Sequence, residues 1–127
     1  MQSAELKMSA EIDARLRTGV EQFNRGEFFA AHETWEDLWN DSVGNDKLLL
    51  QGLIQIAAGY LKVESGIRAG AIKLLSRGAA IVRQFVPSAM GLSLDDFLSA
   101  VDADLRRVQA TADGQIDLGI VRPPLLT

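Results

Sequence analysis

The sequence predicts an all-α protein: a single compact bundle of about five helices, mostly antiparallel, with an extended C-terminal tail. Three observations carry this. Apolar residues recur three and four apart through most of the chain, and no segment alternates with the two-residue period of a half-buried strand. Gly26, Gly66 and Pro87 interrupt that pattern where helices would end. With 127 residues, 47% of them apolar, the chain is long enough to bury one real core.

Residues 1–8 read as a flexible lead-in, residues 9–114 as the bundle and residues 115–127 as a tail packed on it. Ser9 can cap a first helix whose inner face is Ile12, Leu16, Val20 and Phe23, closed by Asn24-Arg25-Gly26. The short turn sends a second helix, Glu27 to Asn40, back against the first. Asp41 to Asp46 is a loop by composition. The third helix, Lys47 to Glu64, is apolar on most sides (Leu48, Leu49, Leu50, Leu53, Ile54, Ile56, Ala57, Ala58, Tyr60, Leu61) and so belongs at the centre. Its one contrasting stripe is Gln51, Gln55 and Lys62, with Gly52 and Gly59 beside them. Two glycines on one side imply close approach of another helix or a ligand.

The fourth helix, Ile67 to Val86, shows an inner face of Ile67, Ala71, Leu74, Gly78, Ile81 and Phe85, and Pro87 stops it. Ser93, with Asp96 three residues on and Leu92 and Phe97 spaced as a hydrophobic staple, marks the start of a fifth helix. Leu94, Phe97, Val101, Leu105 and Val108 form its inner face, to near Asp113-Gly114. Arg122-Pro123-Pro124 makes the tail extended.

Composition narrows the function. Cysteine is absent, which excludes disulfides and thiolate chemistry and fits the cytoplasm. No apolar run approaches the roughly 18 residues of a membrane span, and no signal peptide is visible. A net charge of −4 argues against nucleic acid as a partner. Charge is unevenly spread. Glu27, Glu33, Glu36, Asp37, Asp41 and Asp46 occur with no intervening Lys or Arg, whereas Lys62 to Arg83 is mainly basic. Solvated helix faces explain both runs, and pairing within or between chains would use them.

The stretch from Phe28 to Trp39 holds the only histidine and both tryptophans. On a helix, Phe28, Trp35 and Trp39 share one side, His32 falls between them, and Glu36 stands one turn on. No metal is expected: His32-Glu33-Thr34-Trp35-Glu36 lacks the second histidine of the zinc-protease helix, and Phe29 breaks the Glu-x-x-His pattern of di-iron bundles. No cofactor motif is present either. Ser42, Ser65 and Ser76 sit in no nucleophile motif. What remains is a buried polar network, His32 and Glu36 with Gln51 or Gln55 of the central helix, which either fixes helix register or lines a polar pocket walled by Trp35 or Trp39.

Phe23-Asn24-Arg25-Gly26-Glu27-Phe28-Phe29-Ala30-Ala31-His32-Glu33, followed by Trp35-Glu36 and Trp39, resembles the small family known as domain of unknown function 309. Leu50-Gln51-Gly52-Leu53-Ile54-Gln55-Ile56-Ala57-Ala58 and Gly70-Ala71 are similar to its later motifs, so the resemblance spans about Val20 to Leu75. It implies a compact all-α domain and no assigned activity. Its signature positions are Asn24, Gly26, Phe28, His32, Glu33, Glu36, Trp39, Gln51, Gly52 and Gln55. Gly26, Phe28, Ala31, Trp35 and Leu38 are also spaced like part of a tetratricopeptide unit, but no 34-residue period recurs.

The favoured expectation is a binding or scaffolding module with His32, Glu36, Trp39, Gln51 and Gln55 as its ligand-binding candidates for a small polar ligand or peptide. The alternative is a small hydrolase-like enzyme with His32 as general acid or base and Glu36 as its orienter. Homodimerisation is the base-rate expectation.

Overall fold

Two identical backbone closures set the helical hairpins. Gly26 (φ +80°) donates its N–H to Phe23 O at 2.9 Å, and the Glu27 N–H reaches Gln22 O at 2.9 Å. Gly66 (φ +75°) repeats this, with its N–H on Val63 O at 3.0 Å and the Ile67 N–H on Lys62 O at 2.8 Å. Both are Schellman motifs, whose left-handed residue is best supplied by glycine. They end α1 (Ser3–Asn24) and α3 (Gly44–Glu64) and turn the chain into α2 (Phe28–Asn40) and α4 (Arg68–Val82). This computed structural model describes residues 3–112 and 114–126, with side chains from residue 14 onward.

Several boundaries differ from expectation. Helix α1 starts at Ser3 rather than Ser9. Residues 4–8 are mostly strong helix formers, with no glycine or proline to stop them. The expected capping by Ser9 and burial of Ile12 lie outside the described side chains. Helix α3 begins at Gly44, which shortens the loop to residues 41–43 and puts Asp46 in the first turn, where the helix dipole favours an acid. Helix α4 stops at Val82 and tightens into a 3₁₀ turn (Arg83–Phe85), because Pro87 forces Val86 into extended backbone.

Ser93 is not a helix cap. It pairs with Ser88 in a small antiparallel hairpin of β1 (Ser88–Ala89) and β2 (Leu92–Ser93). Met90 (φ +52°) and Gly91 (φ +76°) form its two-residue turn, with both central residues at positive φ as a type I′ turn requires. Helix α5 (Asp95–Ala110) starts after Leu94, whose N–H bonds Pro87 O at 2.9 Å, and ends before the predicted Asp113, which is outside the described residues. Leu92 and Phe97 are both buried, but with Leu94 in the cap position the staple sites fall on Ser93 and Leu98, so the predicted staple does not form.

Phe23 is the centre of the core. Its ring contacts Phe28 (5.2 Å between centroids), Trp35 (5.9 Å), Tyr60 (5.9 Å) and Phe97 (5.8 Å), joining α1 to α2, α3 and α5. The buried Trp35 indole N–H donates to Leu16 O at 3.2 Å, and a methyl group on Gly19 would overlap that indole. Helices α3 and α4 meet backbone to backbone through glycine. A Cβ on Gly78 would stand 2.8 Å from Gly52 O and 3.0 Å from Ile56 N, and one on Gly59 would stand 3.1 Å from Leu75 N. This crossing rotates α4 away from its predicted orientation. Its buried face is Ala71, Leu75, Gly78, Ala79 and Val82, while Ile67 is exposed and Leu74, Ile81 and Phe85 lie at the edge.

The tail turns at 117–120, where the Ile120 N–H bonds Asp117 O at 3.2 Å, then continues without helix or strand over 121–126, and it buries Ile116, Val121, Pro124 and Leu126. Two polar side chains hold it. Asn24 donates to Leu126 O at 2.8 Å and accepts from the Leu126 N–H at 2.7 Å. Asp104, buried on α5 beside the edge position of Leu105, accepts from the Tyr60 hydroxyl (2.6 Å), Arg107 (3.1 Å) and the Arg122 N–H (2.9 Å). Burial and then the bond to Asp104 raise the pKa of the Tyr60 hydroxyl far above its usual range.

Gly78→Ala is expected to cost about 1–3 kcal/mol in urea denaturation, because the clash is with backbone. Gly70→Ala, whose methyl would meet flexible Lys62 carbons at 3.3 Å, leaves stability unchanged or raises it. Tyr60 is the only tyrosine, so tyrosinate absorbance reports it alone. Its folded pKa is raised, so the stabilisation is complete below pH ~10 and falls above it by roughly 1.4 kcal/mol per pH unit, with tyrosinate appearing only on unfolding. Ionisation of Tyr60 in the folded chain near the ordinary value would contradict this.

Candidate functional site

Helix α2 turns Phe28, Ala31, Trp35 and Leu38 inward. Phe28 stacks on Tyr60 with 5.4 Å between centroids, and Trp35 reaches α1. Ala31 and Leu38 share the inward face with Trp35, which pushes His32 onto the helix shoulder. The His32 side chain keeps 30% exposure and that of Glu36 keeps 53%. The buried His/Glu pair expected from the sequence is therefore corrected: the pair lies at the surface edge. Trp39 is half-buried, with the Lys47 ammonium 4.1 Å from its ring centroid in a cation–π contact.

His32 presents its two nitrogens differently. Nε2 stands 3.5 Å from Glu36 Oε2, longer than a good hydrogen bond. Nδ1 is buried and, like the buried Gln55 Oε1, has no hydrogen-bond partner among the described residues. The exposed Phe29 ring lies nearly parallel to the imidazole, 6.3 Å away. Phe29, His32, Glu33, Glu36, Asp37 and Asn40 line a shallow depression of about 310 Å³ along α2. Trp39 and Gln51 instead line a separate depression of about 280 Å³ with Gly44, Lys47 and Leu48. The single polar pocket expected between facing stripes is thus divided, and half-buried Gln55 lines neither part. Gly52 and Gly59 make room for α4 rather than for a ligand.

The charges around the site are unevenly answered. Arg15 of α1 reaches Asp41 at 2.8 Å and Asp37 at 3.7 Å. Glu33 has no ion pair or hydrogen bond among the described residues. Arg68 of α4 and Arg83 of the 3₁₀ turn serve another interface, whereas Lys73 and Arg77 are exposed. Arg68 donates to the α5 carbonyls of Val108 (3.2 Å) and Gln109 (2.7 Å), and Arg83 pairs with Asp102 at 3.0 Å. Ser42, weighed as a nucleophile, is buried and donates to Leu38 O at 2.7 Å.

Sequence reading missed Asp104 and the tail-holding role of Asn24. The signal for Asp104 was present: with Phe97, Val101 and Val108 it completes a four-three-four spacing, an acid at a core position.

The fold and site define a small all-α domain with an outward acidic and aromatic helix face. Residues 16–74 match the family model described as Domain of unknown function (DUF309), which supports the family that the motifs indicate. The matched segment includes Phe23, the whole of α2 and α3 and the start of α4. No curated protein matches the chain. Among the described residues, no helix is long and apolar enough to cross a membrane.

His32→Ala is expected to change unfolding free energy by less than about 1 kcal/mol, because its pair with Glu36 is solvated. Trp35→Ala is expected to cost about 3–5 kcal/mol. Losses of equal size in chemical denaturation would place His32 back in the core.

Proposed function

We propose that the protein is a binding module that captures a basic, amphipathic segment of a partner protein on the outward face of α2. The observation that carries this is Glu33, unpaired among the described residues, beside the 57% exposed Phe29 on the rim of an open depression. Cationic side chains of the partner would answer Glu33 and Glu36, and an apolar one would cover Phe29. Interfaces combine aromatic anchors with complementary charge in this way.

An acid–base role for His32 draws less support. A histidine base is held at one nitrogen by its orienter and offers the other to substrate. Here Glu36 approaches Nε2, and the remaining Nδ1 is buried.

Titration with a synthetic Lys/Leu amphipathic peptide, followed by amide NMR, tests the proposal. Saturable shifts confined to α2 and its flanks, weakened by salt, are expected. Glu33→Lys with Glu36→Lys lowers the affinity by about tenfold or more. Shifts spread over the whole surface, or unchanged by this charge reversal, would overturn the proposal. Concentration-dependent sedimentation of the protein alone, suppressed by the same double variant, would make a second copy the occupant in place of a foreign segment. Exposed Lys73 and Arg77 would then supply the cations.

A further inference from the structure

A different concavity lies between α1, the turn of the β-hairpin and the end of the tail. It holds about 470 Å³, within the roughly 300–1,000 Å³ of small-molecule sites. Leu16 and Val20 of α1, Met90 and Leu92 of the hairpin and Leu126 of the tail give it apolar walls. Asn24 also lines it, but both polar ends of that amide are engaged by the Leu126 backbone. Arg17 is the charged lining residue. It is exposed and, unlike Arg15 two residues away, has no ion-pair or hydrogen-bond partner among the described residues. A water-facing cation over an apolar cleft matches a ligand with an acidic head and a hydrocarbon body.

The hairpin turn supplies the cavity with an adaptable wall. Met90 lies at φ +52°, the one non-glycine residue at positive φ among the described residues. That backbone is set by the type I′ turn and fixes where the Met90 side chain stands against the cavity. The unbranched thioether is also an adaptable wall for a flexible chain.

We infer that this cavity binds a small amphiphilic carboxylate of the medium-chain fatty-acid type. Its chain lies against Leu16, Val20, Met90 and Leu92, and its carboxylate pairs with Arg17. The inference is independent of the α2 face and stands or falls separately from it.

The test is calorimetric and methyl-NMR titration with octanoate, below its micelle threshold, and with the uncharged octanol. Octanoate shifts the Met90 and Val20 methyl signals saturably and binds more tightly than octanol. Arg17→Gln weakens octanoate by about tenfold, to the level of octanol, and leaves octanol unchanged. Met90→Gly keeps the turn, relieves its backbone and weakens both ligands, with circular dichroism confirming the fold. Octanol binding as tightly as octanoate, or octanoate producing no saturable shift at these methyls, would overturn the inference.

Discussion

The packing around Phe23 is the constraint on which the rest of the structure depends. One side chain from α1 touches aromatic rings from α2, α3 and α5. Aromatic pairs have preferred edge and offset geometries, so each contact also restricts helix rotation. Phe28 and Trp35 must point at Phe23, and that choice decides what the opposite side of α2 displays. Phe29, Glu33 and Glu36 are outward as a consequence. The face proposed for binding is therefore the geometric complement of the core and needs no separate device to expose it.

A second constraint acts across α3 and α4. Glycine at 52, 59 and 78 lets the two backbones approach more closely than side chains would permit. Close approach offsets the helix propensity that glycine sacrifices by increasing dispersion contacts along the seam. The tail is held by polar bonds rather than by apolar burial alone. Asn24 treats Leu126 as a strand partner, and Asp104 gathers Tyr60, Arg107 and the Arg122 amide. A buried carboxylate with these donors is costly to deprive of any one of them.

Features coded locally were legible in the sequence. The Schellman stops at Gly26 and Gly66, the all-α class, the central position of α3 and the non-helical tail all follow from residue type and spacing. Features decided by a partner were not. Ala31 reads as neutral on a helical projection, yet it is buried and moves His32 to the shoulder. The rotation of α4 depends on where Gly52 meets Gly78, which no pattern within α4 contains. Met90-Gly91 lacks the Asn-Gly or Asp-Gly signature of a two-residue hairpin, so Ser93 read as a cap. Of the five candidate site residues, His32 and Glu36 share one depression, Trp39 and Gln51 share another, and Gln55 stands apart from both.

Helix α2 carries its histidine on an accessible shoulder and not within the core. His32 is the chain's only histidine, so carbethoxylation by diethyl pyrocarbonate reports on this one ring. Comparing its rate in the folded protein with that in denaturant is the most direct test. Comparable rates are expected, with the helical circular dichroism retained. Protection of His32 until the protein unfolds would contradict its placement on the shoulder.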